Sequence, residues 1–145
     1  MNDPTIFPYL ATAIFCEKVL KEEDGVISAI RIVNRINLAT SGPEAPEAMP
    51  PIGINLMALV AFNKRGEKEE YILNIRPESA EAIDMAEISI PVNFKEIQIN
   101  SSAIININFT AKKAGMCWFD LFLDGQLITK MPIVVSYQRM VAGQA

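Results

Sequence analysis

The side chains that most often carry catalysis are scarce in this sequence, and none stands in a catalytic pattern. The 145 residues include no histidine, which excludes Ser-His and Cys-His nucleophiles, histidine general bases and histidine metal ligands. Of the 17 carboxylates, most fall in predicted turns, and only Asp120 lies inside an aromatic strand. Glycosidase-like chemistry would need two such carboxylates flanking a cleft. We therefore expect a protein that is not an enzyme.

Metal and cofactor sites are not predicted either. Two cysteines without histidine cannot form a structural zinc site. Calcium sites need several converging acids, whereas Asp24, Asp84 and Asp124 are scattered singly along the chain. The seven glycines are spread out and form no phosphate-binding loop. We expect no cofactor and no metal.

The two cysteines, Cys16 and Cys117, both lie in apolar stretches. They form either a pair of buried thiols or one disulfide between distant strands, and we favour the thiols because nothing else marks the chain as secreted. The apolar run 6–16 lacks a positively charged segment before it and ends at Glu17 and Lys18. It is shorter than the ~20 residues of a membrane helix. We expect a cytoplasmic protein with no membrane contact.

Length and charge restrict the class of protein further. The chain has the size of one globular domain, which we place over residues 1–145. Its net charge of −4 argues against nucleic acid as a partner. Arg31 and Arg35 share one face of a predicted strand, with Lys18 expected nearby on the neighbouring strand. We interpret this small basic patch as a solvated sheet face.

The elements that must position these residues are β-strands. Apolar and polar residues alternate with a period of two along most of the chain, as in Ile105, Ile107 and Phe109 against Asn106 and Asn108. The pattern predicts eight strands, near residues 9–20, 26–38, 52–63, 68–76, 88–96, 103–111, 116–123 and 127–137. We predict an all-β fold: a two-sheet antiparallel sandwich of about eight strands.

Turn residues separate these strands. Asp24-Gly25 and Asp124-Gly125 predict two-residue hairpin turns with positive φ at the glycines, and Arg65-Gly66 marks a third reversal. The proline-rich segment 39–51 predicts a long surface connection, as between the sheets of a sandwich. Residues 77–87 have a helical composition after a proline, which allows one short helix near 78–87.

Two stretches of the chain carry an ordered set of structural features. They are residues 13–17 with Gly25 and residues 30–36, and residues 115–125 with residues 131–135. In this order they resemble a family of uncharacterised bacterial β-sandwich domains. The resemblance implies an immunoglobulin-like or similar architecture and implies no activity, because none is established for the family. The immunoglobulin hallmark itself is missing, because Trp118 directly follows Cys117 instead of lying between two bridging cysteines.

Strand 116–123 is the strongest anomaly, because both of its faces are apolar. We assign Ile14, Cys16, Phe119 and Leu121 to the inner face. The residues left for an outer apolar face are Met116, Trp118 and Phe122, with Met57 and Leu59 expected to join them from strand 52–63. Such a face is an interface, or else segment 77–87 or segment 39–51 folds over it.

These observations favour a non-enzymatic protein–protein interaction or assembly module, with another protein or a second copy (a homodimer) as the partner. The alternative is a small-ligand or carbohydrate-binding sandwich, for which Asn106 and Asn108 could contact sugar or peptide. An enzyme that relies on carboxylates alone is a distant third. A flat apolar face and oligomers in solution would indicate the first function, and a concave pocket with an aromatic floor the second.

Overall fold

The structure is a computed structural model that describes residues 6–42, 45–95 and 98–140, and all regular structure in these ranges is β-strand. The strands are β1 (Tyr9–Lys21), β2 (Ile27–Ile32), β3 (Arg35–Ser41), β4 (Ile52–Asn63), β5 (Glu70–Pro77), β6 (Ile83–Asp84), β7 (Ile88–Asn93), β8 (Asn100–Ala111), β9 (Gly115–Leu123) and β10 (Gln126–Met140). They form two five-stranded sheets: sheet I in the order β2-β1-β4-β8-β6, and sheet II in the order β3-β10-β9-β5-β7. The predicted all-β, two-sheet architecture is confirmed, with ten strands in place of eight.

The core lies between the inner faces of the two sheets, where the alternating apolar residues meet. Phe119 of sheet II is fully buried. Its ring packs edge-on against Phe15, with centroids 5.1 Å apart, and against Phe109, with centroids 5.2 Å apart. Such edge-to-face contacts stabilise aromatic pairs beyond the area that they bury. Among the described residues, no polar or charged side chain is buried in this core.

The predicted strand 26–38 is two strands that lie in different sheets. The chain leaves sheet I after β2 and enters sheet II as β3, and Arg31 at the end of β2 has a φ of 54°. Two backbone hydrogen bonds fix the crossing: Val33 N–H donates to Phe15 O at 2.8 Å, and Val134 N–H donates to Asn34 O at 3.0 Å. The alternating pattern runs through the crossing without glycine or proline, so it hides the break.

The crossing also changes the strand pairing. β3 enters sheet II alongside β10 and runs in the same direction, with Arg35 opposite Val134. The expectation of an entirely antiparallel sandwich is therefore wrong for this one pair. The other pairs of described strands are antiparallel.

The short helix allowed near 78–87 does not form. Ile83 is buried in the core instead, and it pairs with Ala111 of β8. Lys112 N–H donates to Ala82 O at 2.8 Å, which fixes the same stretch to the end of β8. Tertiary contacts outweigh a helical composition here. Across the described ranges, no helix is long and apolar enough to cross a membrane.

The turns follow the predicted glycines. Gly25 has a φ of 87° and Gly125 a φ of 81°, so both positive values are confirmed. Asp124 also has a positive φ, of 48°, as a two-residue type I′ hairpin turn requires. The turn at Gly25 is one residue longer than predicted, because Glu22 N–H donates to Val26 O at 2.7 Å around three loop residues.

The longer connections run between the sheets. The proline-rich segment after β3 links sheet II to sheet I, as the sequence predicts, and the reversal at Arg65-Gly66 returns the chain to sheet II through β5. Tyr137 Oη donates to Pro46 O and Arg139 Nε donates to Ala45 O, each at 2.6 Å. The proline-rich segment is therefore held against the last residues of β10.

Candidate functional site

The structure separates the five residues predicted to form one outer face. Met116, Trp118 and Phe122 lie on the outer face of sheet II, in β9. Met57 and Leu59 lie on the outer face of sheet I, in β4. Because the sandwich core stands between the two faces, Met57 and Leu59 do not join the other three. Alternation within a strand predicts which face a side chain takes but not which sheet the strand belongs to.

The predicted inner face is correct for β9 and wrong for β1. Phe119 and Leu121 are fully buried, as expected. Ile14 and Cys16 instead pair with Leu59 and Met57, so they lie on the outer face of sheet I. Phe15, between them, reaches the core. The stretch is apolar at every position from 13 to 16, so the sequence pattern alone does not determine which of its alternate residues face the core.

Both cysteines are buried free thiols, as favoured from the sequence. Cys117 lies on the inner face of sheet II, and Cys16 lies beneath its neighbours on the outer face of sheet I. Burial raises the pKa of each thiol, because the thiolate loses its contact with water. Neither cysteine therefore has the low pKa that marks a reactive one.

The outer face of sheet II carries a compact apolar area beside β9. Trp118 lies opposite Pro132 of β10, and Met116 lies opposite Val134. We call these four residues the Trp118 patch. Trp118 is 38% exposed and Met116 is 54% exposed. The second apolar face of strand 116–123 is thus turned toward solvent at this end of the strand.

Charged side chains border the Trp118 patch along β9. The Lys130 ammonium forms ion pairs with Asp120 Oδ1 at 3.1 Å and with Glu78 Oε1 at 3.3 Å. Asp120 in the first place, and Glu78 after it, raise the pKa of Lys130, so the ammonium keeps its charge. Asp120, the one acid inside the predicted aromatic strand, is therefore part of a charged rim.

Phe122 is shielded by this rim. The Arg76 guanidinium lies 4.2 Å from the centroid of the Phe122 ring, and it also pairs with Glu87 at 3.6 Å. A guanidinium over an aromatic face is an attractive cation–π contact. Of the three apolar residues predicted for the outer face of β9, Met116 and Trp118 are the exposed ones, and Phe122 is half-buried beneath Arg76.

Neither of the two segments expected to cover the face does so within the described residues. The proline-rich segment contacts Tyr137 and Arg139, beyond the Trp118 patch on β10. The segment after β5 donates from Glu78 N–H to Trp118 O at 2.9 Å and then crosses to sheet I, where Ile83 pairs with β8. It contributes to the rim and leaves the Trp118 side chain partly exposed.

A second feature is a cleft beside the crossing between the sheets. β1 pairs with β4 only as far as Cys16 opposite Met57; beyond that point β2 is the one described strand that pairs with β1. The resulting opening has a volume of about 530 Å³. It is lined by Glu17, Arg31, Val33, Arg35, Ile36, Asn37, Ile54, Asn55 and Leu56. We call it the hairpin cleft, because the β1–β2 hairpin forms one wall.

The hairpin cleft contains the two arginines of the predicted basic patch. They do not share one strand face, since Arg31 lies next to the last residue of β2 in sheet I and Arg35 begins β3 in sheet II. The cleft nonetheless brings them together. Arg31 pairs with Glu17 at 3.3 Å, whereas Arg35 has no ion pair with any described residue. Sequence reasoning missed this arrangement because no residue type signals the crossing between them.

The outer face of sheet I offers two further features. Asn55, Asn108, Thr110 and Asp84 line a polar concavity of about 470 Å³ between β4, β8 and the β6 segment. Among the described strands, β8 has an open edge over residues 100–109, since β6 pairs only with Thr110 and Ala111. This edge carries no charged residue, and Ile104 on it is 38% exposed.

Comparisons with protein-family models and with curated proteins do not assign a function to the chain. No protein-family model matches the chain, and no curated protein matches it at a significant level. Within the described ranges, no three cysteine or acidic side chains converge in a way that could hold a metal ion.

Proposed function

We propose that this protein is a non-enzymatic interaction module that binds a protein partner through the Trp118 patch, and that the partner is a second copy of the chain. The observation that carries the proposal is the exposure of Trp118 and Met116 on a face that no described segment covers. An apolar area bordered by charge is the usual composition of an interface centre and its rim. Tryptophan is among the residues that most often dominate binding energy.

The arrangement of residues in the patch is compatible with a two-fold symmetric contact. In such a contact the same surface serves both partners. Trp118 and Pro132 are adjacent across the β9–β10 pair, so a two-fold axis beside them would place each indole on the proline of the other copy. The ion pairs of Lys130 partly neutralise the rim, which reduces the repulsion between two identical surfaces.

Light scattering of the purified protein tests this function. We expect a dimer for the wild type and a folded monomer for Trp118→Arg, because a buried guanidinium without a partner opposes association. Ile104→Arg is the matched control. Ile104 has the same fractional exposure as Trp118 but lies on the other sheet, so this variant should remain a dimer. Circular dichroism establishes that each variant is folded.

Three outcomes would contradict the proposal. A monomeric wild type removes its basis. An unfolded Trp118→Arg, beside a monomeric wild type, would show that the indole is part of the core. A dimer that survives Trp118→Arg but is lost in Ile104→Arg would move the contact to the open edge of β8.

A small-ligand or carbohydrate-binding role is the second candidate, and the polar concavity around Asn55 and Asn108 supports it. The aromatic residue that lines the concavity, Phe109, is buried in the core and offers no exposed ring for a sugar to stack on. A thermal-shift series with neutral mono- and disaccharides tests this role. A stabilisation that is lost in Asn108→Ala would favour it over the interaction module.

A cytoplasmic location and membership of the bacterial β-sandwich family belong to the same proposal. Two buried free thiols support the location. The two-sheet fold, with an Asp-Gly hairpin after an aromatic strand, supports the resemblance. Thiol counting in freshly lysed source cells tests the location directly.

A further inference from the structure

The hairpin cleft lies where β1 and β4 part, so that one edge of each strand has no described strand beside it. Beyond Cys16, β1 no longer pairs with β4, and among the described strands only β8 pairs with residues 52–56 of β4. In an antiparallel sheet, alternate residues of a strand direct their N–H and C=O groups to each side. The backbone groups of alternate residues within 52–56 therefore face the cleft and not another described strand.

In β1, one backbone amide has only a weak hydrogen-bond acceptor. Val19 N–H points away from β2 and donates to Met57 Sδ at 3.3 Å. A thioether sulfur is a weak acceptor, and the Val19 residue is largely buried. This backbone donor has a poor partner near the point where β1 and β4 part, although Val19 and Met57 are not among the residues that line the cleft.

The charged and apolar side chains of the cleft restrict the kind of ligand that it could bind. The floor consists of side chains that are partly or fully buried: Val33, Ile36, Ile54 and Leu56. The rim carries two guanidinium groups and one carboxylate. Glu17 forms an ion pair with Arg31, which leaves the charge of Arg35 uncompensated among the described residues. The cleft therefore favours a ligand with a carboxylate, which a guanidinium binds with two parallel hydrogen bonds.

Arg31 has an energetically unfavourable backbone conformation. A φ of 54° at Arg31 is unfavourable for a long side chain, and the hydrogen bonds of Val33 and Asn34 fix the crossing on both sides. Strained residues of this kind cluster at binding sites. The strain here keeps Arg31 and Arg35 at one cleft although they belong to different sheets.

We propose that the hairpin cleft binds an extended peptide segment that ends in a free carboxylate. The segment pairs with residues 52–56 of β4 as an added strand, its apolar side chains contact the floor, and its carboxylate binds Arg35. Five residues of extended chain span about 17 Å, which matches residues 52–56 of β4, whose edge on the cleft side pairs with no described strand. Arg35 lies opposite Val134 of the Trp118 patch, so the cleft borders that patch, but strand addition to β4 does not require self-association.

Fluorescence polarisation with three labelled peptides tests the proposal. The peptides are Val-Ser-Val-Ser-Val with a free carboxylate, its C-terminal amide, and its backbone N-methylated form. The free acid should bind, the amide should bind about tenfold more weakly because it loses a charge-assisted hydrogen bond, and the N-methylated form should not bind, since it cannot pair as a strand.

Variants assign the contacts. Arg35→Gln should weaken binding of the free acid about tenfold and abolish the difference between acid and amide. Lys21→Gln removes an exposed cation at the far end of β1, outside the cleft lining, and should leave binding unchanged. Trp118→Arg should also bind the free acid, because strand addition to β4 does not require the dimer contact.

Several results would overturn the proposal. They are the absence of binding by the free acid, equal binding of acid and amide, unchanged binding of the N-methylated peptide, and equal loss in Arg35→Gln and Lys21→Gln. Hexanoate that displaces the peptide at equal concentration would show that the cleft takes any small apolar anion. It would thereby contradict strand addition.

Discussion

Phe119 of sheet II meets Phe15 of sheet I edge to face, with ring centroids 5.1 Å apart. The preceding residue of β9, Trp118, points to the opposite side of the strand and is partly exposed. Consecutive aromatic residues of one strand thus serve two purposes. One joins the sheets, and the other marks the surface that we assign to a partner.

The role of Phe119 predicts a large loss of stability on truncation. Phe119→Ala should lower the free energy of unfolding by about 3–5 kcal/mol, because it removes contacts with Phe15 and Phe109 and leaves a cavity between the sheets. Phe119→Leu should cost clearly less. Phe122→Ala, on the outer face, is the matched control and should also cost less than Phe119→Ala. Urea unfolding measures all three, and similar losses for Phe119→Ala and Phe122→Ala would contradict the assigned faces.

The hairpin glycines predict a purely conformational effect. Gly25→Val and Gly125→Val should each lower the stability by about 1–2 kcal/mol, since L side chains are disfavoured at positive φ. A Cβ atom at either site would meet no atom within 4 Å, so steric clash is not the cause. Gly53→Val in β4 is the control, because Gly53 has open space and no positive φ. Equal melting temperatures for all three variants would refute the turn assignment.

The buried thiols predict a specific redox state. Unreduced, denatured protein should release two thiols per chain with Ellman's reagent, from Cys16 and Cys117. The native protein should react far more slowly, because burial keeps both sulfurs protonated and shielded. Cys16→Ala should leave one thiol in the denatured assay. No free thiol in the denatured, unreduced wild type would mean that a disulfide exists.

The pKa shifts predict a loss of stability at alkaline pH. Burial raises the pKa of Cys16, Cys117 and Tyr71, and the hydrogen bond to Asp124 raises that of Lys68. The folded state therefore holds these protons to a higher pH than the unfolded state does. The resulting stabilisation is complete below the unfolded pKa values and is lost as the pH rises through the folded ones.

Urea unfolding at about pH 7.5 and about pH 10.5 measures this effect, because the ordinary pKa values of these groups lie between. The free energy of unfolding should be lower at the higher pH. Cys117→Ala should reduce the difference, since one of the shifted groups is gone. A stability that is constant or rises over this interval would contradict the burial of these groups.

Several features of the fold could be predicted because they depend on neighbouring residues alone. Ile105, Ile107 and Phe109 alternate with asparagines and all three face the core. The two Asp-Gly pairs set both turns. The break between β2 and β3 could not be predicted, because Arg31 adopts its positive φ only when contacts from Phe15 and β10 hold the crossing.

The candidate site depends on contacts between distant parts of the chain, so less of it could be predicted. The double apolar face of strand 116–123 indicated Met116 and Trp118 correctly as outward residues. Their true neighbours, Pro132 and Val134, come from the pairing of β9 with β10, whereas Met57 and Leu59 belong to the other sheet. Segment 77–87 does not form the short helix that its composition allows, because Ile83 is buried against β8.

The most direct test of the proposed interface uses Trp118 itself, because it is the only tryptophan in the chain. Its fluorescence and its quenching by acrylamide can be followed while the protein is diluted through the concentration at which light scattering shows dissociation. We expect a blue-shifted, weakly quenched indole in the dimer and a red-shifted, strongly quenched one in the monomer. An emission spectrum and a quenching constant that stay the same across dissociation would show that the partner does not cover Trp118, and the interface would be elsewhere.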